Sequence, residues 1–313
     1  MHIPDNFLTP PVWATLDCVA APAIAVVSRR ARASADLSQT SLLGVLGAFV
    51  FAAQMVNFPV GVGTSGHLVG GTLLACIVGP WAAALVMTSI LLIQALVFQD
   101  GGILALGANV FNMALMGVLV GYLPARLLAG SKWRNLGVFV GGTSSVLISG
   151  LLALSELSAS HIHISSAMVE VSLLVFLVNA LVEGAITVSA LRAIERLKPG
   201  ITILGRNACS QYLRPFRAPR LSFLIAFAAM MVVLCGVVVG SRLPDGLERL
   251  ALRLGVPLAH PVLHAPLSDY YIRQFGRNWP SQATAGLLGI ICIYLICATA
   301  SHLLARARRS YSQ

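Results

Sequence analysis

The run LSFLIAFAAMMVVLCGVVVG, residues 221–240, decides the class of fold: it carries no charge and is long enough, as a helix, to cross the hydrocarbon of a bilayer. Comparable apolar runs recur along the chain. Composition follows them, with 57% hydrophobic and 10% charged residues over 313 positions and a mean hydropathy of +0.85. Soluble domains carry about 25% charged residues, so this is the composition of an all-α, polytopic membrane protein. A formal charge of +10 raises nucleic acid as a partner. The basic residues fall in short blocks between apolar runs, however, and not on one face with interleaved aromatics, which excludes it.

Outward from that run, nine spans are expected, at 10–28, 41–57, 67–79, 81–98, 103–125, 135–155, 167–191, 221–240 and 282–304. The pair 67–79 and 81–98 breaks at Gly79-Pro80, and its first member is short, as suits a segment that begins in a cavity. Gly44, Ala48 and Ala52, four apart, form a close-packing ridge. The N-terminus is expected outside and the C-terminus inside. Sixteen of the 21 Lys and Arg then lie inside, and the other five (Arg242, Arg249, Arg253, Arg273, Arg277) share one long outer loop, 241–281. No basic region precedes the first apolar run, so no secretory signal is expected, and the bulk of His2 should protect Met1 from trimming. Cys18, Cys76, Cys235, Cys292 and Cys297 lie in apolar runs and Cys209 in a basic loop, with no C-x-x-C pair, so no extracellular disulfide is expected.

The organisation read from this pattern is a seven-span core (1–199), a basic cytoplasmic linker (200–220) and a two-span module (221–313) that holds the outer loop. The expected location is a bacterial or archaeal-type cell membrane.

Chemistry concentrates in Met1-His2-Ile3-Pro4-Asp5 and in the segment from Asn57 to His67. A free Met1 amine and the His2 amide nitrogen close a five-membered chelate ring on a divalent ion; that amide and His2 Nδ1 close a six-membered one. His67 can fill the fourth corner. Four nitrogens in a plane suit Ni(II), Cu(II) and low-spin Co(II), whereas Zn(II) asks for a tetrahedron. The alternative takes His2 as a frayed terminal residue and His67 as a satisfied helix-end histidine. Asn57 and Ser65 are candidates to support the ligands, Asn57 by bonding the N-terminal segment or the His67 ring; either can equally be a helix or loop cap.

Other features read more plainly. Gly61-x-Gly63-x-x-Gly66 matches a dinucleotide fingerprint, but it follows no soluble strand and no acid stands about twenty residues downstream to hold a ribose. Lys132 and Lys198 follow Ser131 and Leu197, so the chain has no phosphate-binding G-K-[ST] loop and is not an ATPase. His161, His163, His260 and His264 read as solvated loop residues. Glu183 and Asp17 fall inside spans, where a carboxylate is costly; for Glu183 an interfacial ion pair with Arg192 is the plain explanation. Ala21 and Ala25 form a smooth face for a partner subunit or for intramolecular packing.

The residues Met1-His2-Ile3-Pro4-Asp5, Asn57 with Pro59, and Ser65-Gly66-His67-Leu68 followed by Gly70-Gly71 resemble the substrate-capture subunit of energy-coupling-factor transporters for nickel and cobalt, the CbiM/NikM family. Pro244-Asp245-Gly246-Leu247-Glu248 resembles the signature of the small companion subunit, CbiN/NikN, which is sometimes fused to the first. Asn6 stands where the family commonly has glycine, and Asn tolerates positive φ. The resemblance implies a receptor that binds Ni(II) or Co(II) through the Met1 amine, the His2 amide and ring, and the His67 ring, with no permanent cofactor. It also implies a transmembrane coupling subunit and ATPase subunits as partners on separate chains. Rival classes are a secondary permease or channel, a membrane-embedded metalloenzyme and a structural scaffold. The first needs mid-membrane polar lining and the second an open coordination position with a general base.

Overall fold

A computed structural model describes residues 2–34, 40–61, 63–204, 219–241, 243–254 and 265–310. Met1, Cys209, Arg242, His260, His264 and most of the expected linker lie outside the described residues.

Seven helices among the described residues are long and apolar enough to cross a membrane. In chain order the helices are α1 (Pro10–Ser34), α2 (Thr40–Gln54), α3 (Gly71–Val78), α4 (Pro80–Ile93), α5 (Leu106–Asn109), α6 (Val118–Leu127), α7 (Arg134–Ala159), α8 (Ser166–Leu197), α9 (Pro219–Val239), α10 (Gly246–Leu254) and α11 (Trp279–Ser310). A π-helical turn, Gln94–Phe98, extends α4, and another, Val110–Gly117, joins α5 to α6. The two remaining expected spans fall on α2 and on α3, which are too short to count among the seven.

The brevity of α3 has a local cause. Gly70 enters it at φ 76, and Gly79 leaves it at φ 89 with Pro80 starting the next helix. Eight residues rise only about 12 Å, so α3 starts deep in the bundle. Ahead of it the chain forms a hairpin, β1 (Phe58–Gly61) and β2 (Thr64–Gly66), with a bulge between Pro59 and Gly61. Gly61 at φ 99 and Gly63 at φ 70 take the left-handed conformations of its tip. The glycine spacing therefore serves a turn.

The small-residue ridge of α2 packs against helices from the C-terminal part of the chain. A Cβ on Gly44 would meet Tyr294 of α11 at 2.8 Å, and Ala52 is buried with Ala229 and Val233 of α9. Elsewhere the bundle exposes apolar side chains such as Leu119, Leu123, Leu174 and Phe223, a surface matched to lipid.

The expected hydrophilic loop 241–281 contains a helix, α10, and two short 3₁₀ turns. The pentapeptide explains the helix: Asp245 Oδ1 accepts the Glu248 N–H at 2.8 Å, and Glu248 Oε2 accepts the Asp245 N–H at 3.4 Å. This reciprocal pair is a capping box, and Leu247 between them is fully buried.

Candidate metal centre

His2 and His67, 65 positions apart in sequence, meet at the hairpin end of the bundle. Their ring centroids lie 5.2 Å apart with the planes perpendicular. A metal–nitrogen bond of about 2 Å puts each imidazole centre about 3 Å from the ion, so two rings sharing one ion have centres about 4 to 6 Å apart. Both residues are buried, at 5% and 7% exposure.

The N-terminal segment is held from one side by the chain around residues 100–109. Asn109 bonds the main chain of Ile3 twice, accepting from its N–H at 2.8 Å and donating to its carbonyl at 3.0 Å. Gly102 donates to Ile3 O at 2.8 Å, and Leu104 N–H donates to Asp5 Oδ1 at 2.8 Å. A Cβ on Gly102 would strike Asp5 N at 2.5 Å, so glycine is what lets the strands approach. Asn6 turns the segment at φ 68, and buried Ile3, Phe7 and Leu8 anchor it in the core.

Each ring is oriented by an oxygen acceptor. His67 Nδ1 donates to Leu68 O at 2.9 Å, which leaves the lone pair on Nε2. His2 Nδ1 lies 3.3 Å from Asp100 Oδ1 and 3.4 Å from Asp100 O, while His2 Nε2 is buried without a partner among the described residues. Closing the expected six-membered chelate ring through Nδ1 therefore requires the imidazole to turn about Cβ–Cγ and exchange Asp100 for the ion. Burial lowers the pKa of both rings, and the adjacent His2 helps push His67 down to about 3. Both imidazoles are then neutral ligands at neutral pH. Burial opposes ionisation of Asp100, yet His2 and the Tyr270 hydroxyl outweigh it and lower its pKa.

Behind the rings a buried polar chain crosses the bundle. Gln54 donates to Val69 O at 2.7 Å, Gln94 donates to Gln54 Oε1 at 2.9 Å, and Gln94 lies 3.4 Å from the Tyr270 hydroxyl. Tyr270 in turn donates to Asp100. Glu183, from the middle of α8, accepts the N–H groups of Val69 and Gly70 at 2.7 and 2.9 Å, fixing the main chain just past His67. This replaces the expected pairing with Arg192, whose Nε reaches Asn135 Oδ1 instead. Asp17 accepts the Gly107 N–H at 2.8 Å and so braces the short helix α5.

Neither supporting candidate touches the rings as anticipated. Among the described residues the Asn57 side chain makes no hydrogen bond; its carbonyl accepts from Ser241 N–H at 2.7 Å. Ser65 faces the other way, with Oγ donating to Leu243 O at 2.6 Å and N–H to Pro244 O at 2.9 Å. A single parallel bridge between Ser65 and Asp245 sets the start of the pentapeptide beside β2. Asn109, Asp100 and Tyr270 were not singled out from sequence; polar residues within or beside apolar runs were the available signal. His161 and His163 line an open cleft between α7 and α8 that neither His2 nor His67 lines. Among the described residues no set of three or more His, Cys, Asp or Glu side chains could hold a metal, so further ligands beside His2 and His67 are sought on the main chain and at Met1, which lies outside the described residues.

Residues 2–201 match the family described as the cobalt uptake substrate-specific transmembrane region, CbiM. Over 300 residues the chain is 32% identical to an Archaeoglobus fulgidus protein named as a fused nickel transport protein, NikMN, covering 94% of this chain and 95% of that one. A Lactiplantibacillus plantarum protein named as a fused nickel transport protein, LarMN, is 43% identical over 166 residues, or 52% of this chain and 50% of its own length. A crystal structure described as that of a transition metal transporter aligns with a TM-score of 0.56 at 33% identity, covering 63% of this chain and 93% of the other. With spans, hairpin and paired histidines in place, these similarities establish that the chain is a multi-pass membrane protein of metal transport and belongs to the CbiM family.

Proposed function

We propose that this protein is the substrate-capture subunit of an ATP-driven uptake transporter for nickel or cobalt. The observation that carries the reading is the meeting of the His2 and His67 rings, 5.2 Å apart, with both side chains buried and neutral. In this reading the ion sits in a plane of four nitrogens: the Met1 amine, the His2 amide, the His2 ring and the His67 ring. Such a set favours Ni(II) and low-spin Co(II) alike. The amide must lose its proton to bind, so capture releases acid.

Loading exchanges the Asp100 contact of His2 for the ion, and the loop from Asn57 to Gly66 closes over it. ATP hydrolysis belongs to separate ATPase subunits, coupled through a transmembrane partner. Ala21 and Ala25 on the exposed face of α1 offer that partner a smooth docking surface. The region from 221 onward acts as a fused companion module, touching the capture site through Pro244 and Tyr270.

Metal titration of the purified, untagged protein tests this, beside a variant with one alanine inserted between Met1 and His2. The insertion keeps both histidines but changes the chelate rings. Tight binding of one Ni(II) or Co(II) with a planar, short-wavelength absorption band, lost in the variant, is the expected result. Equal binding by both proteins, or by neither, rules out the N-terminal site.

A further inference from the structure

A shallow groove opens between α8 and α10, lined by Ser172 and Val175 of α8, by Arg249, Leu250 and Arg253 of α10, and by Thr64 of β2. Arg249 and Arg253 are four apart on their helix and so share one face. Neither makes an ion pair among the described residues. The two acids in the first turn of α10 are engaged elsewhere, in the capping box of Asp245 and Glu248, and no carboxylate is among the residues that line the groove.

Two polar groups at the groove are left without partners. Arg249 Nε is buried with no hydrogen bond, and the guanidinium lies against the hairpin tip, where a Cβ on Gly63 would meet Nη2 at 3.2 Å. Ser172 is buried, yet among the described residues its hydroxyl donates to no group, whereas Ser155 and Ser189 each bond the carbonyl four residues earlier. Reaching outward to water accounts for the exposed Arg253. It does not account for the sealed Nε of Arg249, a cationic group that is costly against apolar walls unless an anion meets it.

α8 places the groove at the edge of the bilayer. Its 32 residues rise about 48 Å against a hydrocarbon thickness of about 30 Å, so its first turns stand at headgroup level. Along one face of that helix exposed Glu170 gives way to exposed Leu173, Leu174 and Leu177, which marks the boundary between water and lipid beside the groove. Val171, which also lines the groove, precedes Leu174 by one turn, so the apolar wall runs on to the lipid-facing surface.

We propose that Arg249, Arg253 and Ser172 bind the phosphate of an anionic phospholipid, with an acyl chain lying over Val171 and Leu174. The planar fork of arginine matches phosphate oxygens, and two forks with no carboxylate beside them select a headgroup of net negative charge. The bound lipid bridges α10 to α8 and, through Arg249, steadies the hairpin tip. A free phosphate ion offers the same oxygens but makes no use of the apolar wall. The assignment does not depend on which ion the protein carries.

The test uses the full chain in detergent, with dioleoylphosphatidylglycerol, dioleoylphosphatidylcholine or inorganic phosphate added separately. Native mass spectrometry counts the lipid retained, and thermal unfolding reads its effect on the fold. One phosphatidylglycerol should be retained and raise Tm by about 3 °C or more, with neither effect from the other two probes. Arg249→Gln with Arg253→Gln should weaken that binding by at least about tenfold while leaving Tm in lipid-free detergent unchanged. Ser172→Ala, a loss of one atom, should weaken it by about threefold and keeps the assignment testable if the double variant fails to fold. Arg273→Gln with Arg277→Gln removes the same charge from exposed positions outside the groove and should bind as the native protein does. Equal loss in the two arginine pairs reduces the effect to net charge and overturns the site. Native binding by either groove variant, equal retention of phosphatidylcholine, or an equal Tm rise with inorganic phosphate overturns it as well.

Discussion

Tyr270 donates its hydroxyl proton to Asp100 Oδ2 at 2.5 Å, and the other carboxylate oxygen of Asp100 lies 3.3 Å from His2 Nδ1. Tyr270 comes from the loop between α10 and α11, and its ring stacks on Phe98 with centroids 4.7 Å apart. The C-terminal region therefore holds the carboxylate that holds the ring. If loading exchanges Asp100 for the ion, loosening Asp100 should ease that exchange. Tyr270→Phe keeps the stack and deletes one charge-assisted hydrogen bond of the unloaded state, so metal loading should accelerate by about tenfold. Stopped-flow absorption with Ni(II) measures this, and Asp100→Asn should act in the same direction. Slower loading in both variants would make Asp100 an assistant of the ion and not its competitor.

Asn109 satisfies both main-chain groups of Ile3, one residue past His2. Asn109→Leu has nearly the same branched shape but leaves the buried Ile3 N–H unpaired, at a cost of about 1–3 kcal/mol, while the Ile3 carbonyl keeps its bond from Gly102 N–H. Much of this falls on the local hold of the N-terminal segment, because Phe7 and Leu8 anchor the chain further on. Ni(II) affinity should fall by at least about tenfold with only a few degrees lost in Tm. Isothermal titration and thermal unfolding of one preparation separate the two effects.

Two glycines of the hairpin region should respond differently to alanine. At Gly66 the new Cβ meets Asn179 Oδ1 at 2.1 Å, one residue before His67, so the ligand itself must shift. At Gly61 nothing lies within 4 Å, and the only penalty is the positive φ of 99°. That backbone strain costs about 1 kcal/mol or somewhat more. Gly66→Ala should abolish metal binding, whereas Gly61→Ala should bind Ni(II) with native affinity and unfold slightly earlier. Equal affinity losses would mean that hairpin shape, and not His67 placement, governs the site.

Legibility in the sequence divides along physical lines. Hydropathy runs are local, so the seven long spans, the break at Gly79-Pro80 and the short segment before it could all be read directly. The paired histidines were accessible because dipeptide chelation is also local and the motifs around His67 are specific. Long-range partners were not. Glu183 stood out as a costly intramembrane carboxylate, but helical spacing gives its face without giving its partner, and the nearby Arg192 looked more plausible than main-chain N–H groups more than a hundred positions away. Asn57 and Ser65 were near the right loop for the same reason, while the contacts that tether Ile3 and His2 come from Asn109 and Asp100, across the bundle. The helix in the outer loop was hidden in a segment read by its polarity, although the Asp245 to Glu248 spacing is a helix-start signal in itself.

That same capping box makes the contact between pentapeptide and hairpin testable. Ser65 N–H is held by Pro244 O, adjacent to the Asp245 cap, whereas Gly70 N–H is held by Glu183 from α8. Asp245→Ala removes the cap of α10, worth about 1 kcal/mol, and should loosen the bridge to Ser65 without disturbing α8. Hydrogen exchange of the detergent-solubilised protein should then show the Ser65 amide opening about fivefold more often, with Gly70 unchanged. Asp245→Asn retains a capping oxygen and should leave Ser65 close to native. If Ser65 and Gly70 accelerate together in the alanine variant, the hairpin and the His67 turn open as one unit, and the pentapeptide is a general brace of the site instead of a local hold on β2.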